Sequence, residues 1–140
     1  MTPARAFTWP VRVYWEDTDA GGIVFYANYL KFFERARTEW LRSLGVGQRR
    51  LGEDSGGMFV VLETSVRYLK PARLDDELFV TAEVRQWGRA SFIIAQQARL
   101  APTDELLCEA TIRIGWVDAR TLQPARIPVA IVEALKRTTR

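Results

Sequence analysis

Histidine is absent from this 140-residue chain, and cysteine occurs once, at Cys108. Without histidine the chain has no His base to activate a serine or cysteine nucleophile, and no His-ligated metal site. One cysteine forms no intrachain disulfide and no Cys-based zinc site. Acid–base chemistry is therefore left to carboxylates, lysine or tyrosine. Cys108 is expected to pack as a small apolar residue and not to act as a nucleophile.

Long apolar runs and blocks of one charge are also missing. No run approaches the roughly 18 apolar residues of a membrane span, and residues 1–10 lack the apolar segment of a signal peptide, so a cytoplasmic location is expected. The 20 basic and 17 acidic residues give a net charge of +3 without a dense basic block, which argues against nucleic-acid binding. With 48% apolar residues, residues 1–140 are expected to form one globular domain.

The periodicity of apolar residues divides the chain into strands and helices. It predicts strands at residues 8–15, 58–68, 77–87, 90–100 and 106–117, a long helix at residues 28–44, and a short helix or tail at residues 128–140. Residues 1–7 are expected to be a flexible tail, and residues 46–57 a loop. Asn28 is the expected N-cap of the long helix, and Gly45 its terminating residue.

This order of elements predicts an α+β fold. The last four strands are joined by short turns, which favours an antiparallel meander. The long helix is apolar over most of its surface, so it is expected to lie against the sheet. We therefore predict a five-stranded antiparallel β-sheet wrapped around one long central α-helix. Such a sheet has open edges, which favour pairing with a second copy, so at least a homodimer is expected.

An acidic turn precedes the long helix and contains Glu16, Asp17 and Asp19. Asp19 is open to two interpretations: a nucleophile or general base, or an acid that caps backbone N–H groups of the turn. Glu16 and Asp17 are weaker candidates for chemistry and suit structural roles. The backbone N–H groups at residues 26–28 lie where a helix begins, so they can polarise a carbonyl oxygen or simply meet water.

Charged residues elsewhere give weaker signals. Glu63 lies within a strand and is expected to face solvent or to pair with an arginine. Lys70, Arg73, Arg85 and Arg89 lie near predicted strand ends, where cations are usually solvated, although two or three of them can cluster on a phosphate.

The run WPVRVYWEDTDAGGIVFYANYLKFFERARTEWLRSLG, followed by VRYLKPARLDDEL and VDARTLQPARIP, resembles the hotdog-fold acyl-CoA thioesterases of the 4-hydroxybenzoyl-CoA thioesterase family. Within that family it looks most like the Tol-Pal-associated acyl-CoA thioesterase branch. The resemblance covers residues 9–133. It implies a hotdog fold, hydrolysis of an acyl-CoA without a separate cofactor, and a homotetramer built from two dimers.

Carried over by position, the resemblance makes Asp19 the catalytic carboxylate and the backbone N–H of Tyr26 the group that polarises the thioester carbonyl. Residues expected to bind the substrate are Gly22, Phe25, Asn28, Lys70, Arg89 and Ser91, and among these Arg89 and Lys70 lie where the family contacts the phosphates of coenzyme A.

The chain departs from that branch at Tyr26, where its members usually have histidine. A backbone N–H survives this exchange, but the choice of substrate and any acid–base role of the histidine do not carry over. The hydratases of the hotdog fold need a histidine, so its absence argues against that activity. The alternative function is a non-catalytic acyl-CoA-binding or scaffold protein, and the branch also implies peripheral association with envelope proteins.

Overall fold

The computed structural model describes residues 6–46 and 55–137. Its elements are β1 (Phe7–Arg12), a 3-10 turn (Trp15–Asp17), α1 (Asn28–Ser43), β2 (Gly57–Tyr68), β3 (Glu77–Trp87), β4 (Ser91–Leu100), β5 (Leu106–Asp118) and α2 (Val129–Lys136). Among the helices in these two ranges, none is long and apolar enough to cross a membrane.

The strands form one five-stranded sheet in the order β1-β3-β4-β5-β2, and every neighbouring pair is antiparallel. The predicted hotdog architecture, an antiparallel sheet with one long helix, is confirmed. The predicted meander is wrong for β2, which pairs with β5 along its length and not with β3. Residues 69–76 therefore cross between the two halves of the sheet instead of closing a hairpin.

Backbone hydrogen bonds hold this connection in place. The N–H groups of Leu69 and Lys70 both donate to Leu107 O, at 2.9 and 3.0 Å, which holds the start of the crossing on β5. Farther along, Val24 N–H donates to Ala72 O at 2.9 Å. The connection is thus hydrogen-bonded to β5 at its start and to the segment before α1 farther along. As a result, the end of β2 is brought against the start of α1.

Helix α1 packs on the half of the sheet that contains β1, β3 and β4. Its buried side chains are Tyr29, Phe32, Phe33, Ala36, Trp40 and Leu41. Burying an aromatic or aliphatic side chain of this size stabilises a fold by about 1.5–3 kcal/mol, so this face fixes the position of the helix. After Ser43, Gly45 adopts φ +80° and its N–H donates to Arg42 O at 3.0 Å, as predicted for the helix end.

Strand β1 differs most from its predicted bounds, because it begins at Phe7 and ends at Arg12. It pairs with β3 only as far as Arg12, opposite Glu77. Beyond that point the Asp17 carboxylate accepts the N–H of Tyr14, and the chain turns. Residues 1–5 of the predicted tail, residues 47–54 of the predicted loop and residues 138–140 lie outside the described residues.

Candidate active site

Asp17 organises the acidic turn. Its side chain is only 5% exposed, and Oδ2 accepts a hydrogen bond from Tyr14 N–H at 2.8 Å. Its main-chain oxygen accepts from Phe25 N–H at 3.0 Å and from the Asn28 side-chain amide at 2.8 Å. One residue thus joins the end of the first strand to the start of α1. This supports the structural role that the sequence favoured for Asp17.

The predicted N-cap role of Asn28 is wrong. Ala27 occupies the N-cap position, no side chain caps the helix there, and Asn28 is the first helical residue. The reason is that the Asn28 amide nitrogen donates to the Asp17 carbonyl, so this side chain supports the turn from within the helix. The first N–H groups of α1 are therefore not covered by a capping side chain.

Asp19 lies at the exposed tip of the same turn. Its N–H donates to Ile23 O at 2.9 Å, its carbonyl accepts from Gly22 N–H at 3.0 Å, and Oδ1 accepts from Gly21 N–H at 2.8 Å. Gly22 has φ +79°, a left-handed conformation that glycine adopts without strain. Oδ2 has no hydrogen-bond donor among residues 6–46 and 55–137. The carboxylate is thus held in place through one oxygen and accessible through the other.

The N–H groups of Tyr26 and Ala27 follow Asp19 at the start of α1. Within the described ranges, neither N–H donates to an acceptor. The carbonyls of the same two peptide units are both occupied: Phe25 O accepts from Asn28 N–H at 2.8 Å, and Tyr26 O accepts from the Tyr68 hydroxyl at 3.1 Å. Since both peptides are trans, each N–H points away from its bonded carbonyl. Two fixed N–H donors are the kind of group that stabilises a developing oxyanion.

A pocket of about 230 Å³ lies beside this helix start. Its lining includes Ile23, Tyr26, Tyr29, Tyr68, Lys70 and Pro71. Tyr26 contacts Tyr68 edge to face, with ring centroids 6.1 Å apart. Partial burial raises the pKa of the Tyr68 hydroxyl further above neutrality, and this hydroxyl donates to Tyr26 O. The walls are apolar and aromatic with a few polar groups, as in pockets for small organic ligands.

Tyr29 lines the same pocket and is buried. Its hydroxyl accepts the N–H of Ala72 at 3.2 Å, and burial raises its pKa. Lys70 forms an ion pair with Glu105 at the pocket wall, and both side chains are partly exposed. Phe25 is 43% exposed and lies against Tyr26, with ring centroids 4.8 Å apart. Asp19, Gly22, Phe25, Tyr26, Asn28 and Lys70 thus lie at the same end of the molecule.

Arg89 and Ser91 do not join them within one chain. Ser91 pairs with Gly115 near one end of β5, whereas Tyr68 pairs with Cys108 near the other. Strands rise about 3.3 Å per residue, so the two positions are roughly 23 Å apart along the sheet. Arg89 instead lines a groove with Arg126 and Lys136 at the far end. Within one chain, Arg89 and Ser91 therefore do not line the pocket beside the start of α1.

Sequence reasoning did not identify Tyr68 as part of the site. An aromatic residue at the end of a strand is typical of packing, and nothing in VRYLKP indicates that its hydroxyl reaches a carbonyl 42 residues earlier. Two other expectations, for Glu63 and Cys108, are confirmed. Glu63 is exposed. Cys108 is fully buried, and burial raises its pKa to about 12, so it remains a thiol near neutrality. No cluster of three or more potential metal-binding side chains occurs in the described ranges.

Comparison with known proteins gives consistent matches. Residues 13–135 match the Thioesterase-like superfamily. The acyl-CoA thioesterase YbgC of Haemophilus influenzae is 43% identical over 130 residues, which cover 93% of this chain and 94% of that protein. The acyl-CoA thioester hydrolase YbgC of Escherichia coli O6:H1 is 42% identical over 131 residues, covering 94% and 96%. A 1,4-dihydroxy-2-naphthoyl-CoA thioesterase from Synechocystis shares the fold, with a TM-score of 0.87 at 22% identity over 94% and 96% of the two chains.

Proposed function

Since this chain belongs to the Thioesterase-like superfamily, we propose that it is an acyl-CoA thioesterase in which Asp19 and the start of α1 carry out the hydrolysis. The reaction consumes an acyl-CoA and water and gives a carboxylic acid and free coenzyme A. The carbonyl carbon gains an oxygen, the carbon–sulfur bond breaks, and the thiolate takes up a proton. No cofactor is needed, because coenzyme A is part of the substrate.

The observation that carries this proposal is that the short segment leading into α1 holds an accessible carboxylate and two N–H groups without acceptors among the described residues. Asp19 is fixed by Gly21 N–H, and the N–H groups of Tyr26 and Ala27 have no acceptor among the described residues. In the proposed mechanism the thioester oxygen accepts hydrogen bonds from the helix start, where the helix dipole also favours negative charge. The carbonyl carbon then lies within reach of Asp19 or of a water that Asp19 activates.

Two mechanisms fit this arrangement. As a nucleophile, Asp19 attacks the carbonyl carbon and expels the thiolate, which gives a mixed anhydride that water then cleaves. As a general base, Asp19 takes a proton from a water that attacks directly. A single turnover in ¹⁸O-labelled water separates the two. Label incorporated into Asp19 supports the anhydride, because a general-base reaction places label only in the carboxylic acid.

The positions of Arg89 and Ser91 support a site made by two copies. Strand β2 is a 12-residue edge strand with exposed apolar side chains, including Val61 and Leu62. If β2 pairs antiparallel with β2 of a second copy, the Tyr68 end of one strand meets the Gly57 end of the other. Arg89 and Ser91 lie at the Gly57 end of β2. We therefore propose a homodimer built on β2, with two dimers forming a tetramer, in which the arginine contacts the phosphates of coenzyme A held by its partner.

The test of the proposed function is thiol release from a panel of short, long and aromatic acyl-CoAs. The unmodified chain should release coenzyme A from at least one of them, and Asp19→Asn should lose at least 100-fold in kcat/KM, since one catalytic group contributes about that much. Asp75→Asn is the matched control, because Asp75 is also an exposed turn acid and lies outside the site. Saturable binding of an acyl-CoA without thiol release would instead support the non-catalytic alternative.

A cytoplasmic location and peripheral contact with envelope proteins are also part of this proposal. Both follow from the acyl-CoA substrate and the branch resemblance. Cell fractionation with a tagged chain tests them: recovery in the soluble fraction supports the cytoplasm, and salt-sensitive recovery with membranes supports envelope contact.

A further inference from the structure

A second pocket, of about 200 Å³, lies between α1 and strands β2, β4 and β5, away from Asp19. Its walls are mostly apolar and include Trp40, Leu41, Phe59, Phe92, Ile94 and Ile114. The charged residues in its lining are Glu34 and Arg37, both from α1. Arg37 is half-buried in this largely apolar lining, and withdrawing a charge from water is costly unless it is paired.

Arg37 makes one hydrogen bond in the described part of the chain. Its Nη1 donates to Gln96 Oε1 at 2.9 Å, and no carboxylate of residues 6–46 and 55–137 lies within ion-pair distance of it. Burial lowers the pKa of Arg37, although an arginine remains charged near neutral pH. Since a guanidinium carries several N–H donors, most of them are left for another acceptor.

Gln96 holds the guanidinium in a fixed position. Its side chain is 1% exposed, and Nε2 donates to both Phe33 O and Thr81 O at 3.1 Å. Both amide hydrogens are therefore used, so the amide oxygen faces Arg37 and cannot exchange places with the nitrogen. A fully buried glutamine with both amide hydrogens bonded thus anchors Arg37 through its amide oxygen.

Glu34 lies one turn earlier on α1 and is exposed. Its Oε2 accepts a hydrogen bond from the Thr38 hydroxyl at 3.1 Å, along the helix surface. Its charge favours the charged form of Arg37 without forming an ion pair with it. The positive charge of Arg37 is therefore only partly compensated. A ligand with an anionic group on an apolar chain would neutralise this charge and fill the apolar cavity.

We propose that this cavity binds a carboxylate carried on a short apolar chain, with the carboxylate on Arg37 and the chain against the apolar walls. A carboxylate matches the forked donors of a guanidinium. This proposal rests on the proposed function, which offers two sources of such a carboxylate. One is the free carboxylic acid produced by hydrolysis. The other is the distal carboxylate of a dicarboxylic acyl group on an acyl-CoA bound by a second copy.

Calorimetric titration with hexanoate and hexanamide tests the site directly. These probes share an apolar chain and differ in charge, so the unmodified protein should bind hexanoate at least tenfold more tightly. Equal affinities, or no binding of hexanoate, would overturn the proposal without any variant being needed.

Variants then test the role of the guanidinium. Arg37→Met keeps an unbranched apolar stem and removes the charged guanidinium, so it should reduce hexanoate affinity to that of hexanamide. Arg35→Met, an equal loss of charge at an exposed position of the same helix, should change the hexanoate affinity less than twofold. Glu34→Gln should strengthen hexanoate binding, because it removes a nearby negative charge. A preference for hexanoate that persists in Arg37→Met contradicts the proposal.

Thiol release from adipoyl-CoA and hexanoyl-CoA distinguishes the two sources. A preference for adipoyl-CoA that Arg37→Met abolishes identifies the acyl group as the occupant. Hexanoate binding that depends on Arg37, without any such preference, identifies the free acid. If no acyl-CoA is hydrolysed while Arg37-dependent hexanoate binding remains, the proposed function fails and the carboxylate site stands.

Discussion

The Tyr68 hydroxyl donates a 3.1 Å hydrogen bond to the main-chain oxygen of Tyr26, which joins the last residue of β2 to the segment just before α1. The bonded carbonyl belongs to the same peptide unit as the N–H of Ala27. This hydrogen bond therefore fixes the orientation of one of the two N–H donors at the helix start. It also links the candidate active site to the edge strand on which we expect a second copy to pair.

Replacing Tyr68 with phenylalanine should lower kcat about tenfold, equivalent to about 1.4 kcal/mol in the barrier, and leave KM within twofold. The ring contacts remain, and only the hydroxyl that orients the peptide is lost. Steady-state kinetics on the best acyl-CoA of the panel measures this separation. A KM that rises while kcat stays constant would mean that Tyr68 contributes to substrate binding and not to positioning.

Tyr29→Phe is the matched control for that variant. It should lower the stability of the fold and have less effect on kcat. It leaves the buried N–H of Ala72 without its acceptor, which should cost about 1–3 kcal/mol of the free energy of unfolding. Because Tyr29 makes no hydrogen bond to Tyr26, kcat should change less than in Tyr68→Phe. Urea denaturation and kinetics on the same preparations compare the two variants.

Asp17 and Asp19 should separate stability from activity. Asp17→Asn weakens a buried hydrogen bond to Tyr14 N–H that a charged acceptor makes, so it should lower the free energy of unfolding by about 1.5–3 kcal/mol. Asp19→Asn changes an exposed side chain and should stay within about 0.5 kcal/mol of the parent, while hydrolysis is lost. Urea denaturation measures the stability, and the reverse order of effects would show that the two roles are exchanged.

Cys108 should resist alkylation in the folded protein. Its pKa is raised from 9.0 to about 12 by burial, so at pH 8 only about one thiol in 10⁴ is the reactive thiolate. Iodoacetamide labelling followed by mass spectrometry should show modification only when denaturant is added. Rapid labelling without denaturant would mean that the core around Cys108 opens readily.

The same raised pKa predicts a loss of stability in alkaline solution. The folded state keeps the Cys108 proton above pH 9, where the unfolded state releases it. The contribution of the protonated thiol to the free energy of unfolding is therefore complete below pH 9 and declines towards pH 12. Cys108→Ala should reduce the pH dependence of the free energy of unfolding over this range. An unchanged slope would show that other groups account for the alkaline loss.

Leu62→Lys should weaken self-association and hydrolysis together. Leu62 is 50% exposed at the bulge of the edge strand β2, and a lysine there would place like charges near each other across paired strands. Sedimentation at several concentrations measures association, and thiol release measures activity. Leu122→Lys is the control, since Leu122 is similarly exposed at 60% but lies beyond β5. A dimer that persists in Leu62→Lys would indicate another interface.

The sequence alone determined the elements and the type of chemistry. Alternating apolar residues predicted β3 with the bounds that the structure shows, Glu77–Trp87, and the three-and-four spacing predicted α1 to within one residue at its end. These patterns are local, since they arise from one residue and its near neighbours facing water or the core. The absence of histidine likewise confined acid–base chemistry to carboxylates, lysine and tyrosine without reference to any fold.

Tertiary structure decided what depends on contacts between distant residues. It placed β2 on β5, gave the supporting role to Asp17 and left Asp19 accessible, although both acids belong to one turn. It also brought Tyr68 to Tyr26 and Gln96 to Arg37, across 42 and 59 residues. No local pattern encodes such pairs, because the partner of a polar group is set by the packing of whole elements, and burial then makes that partner necessary.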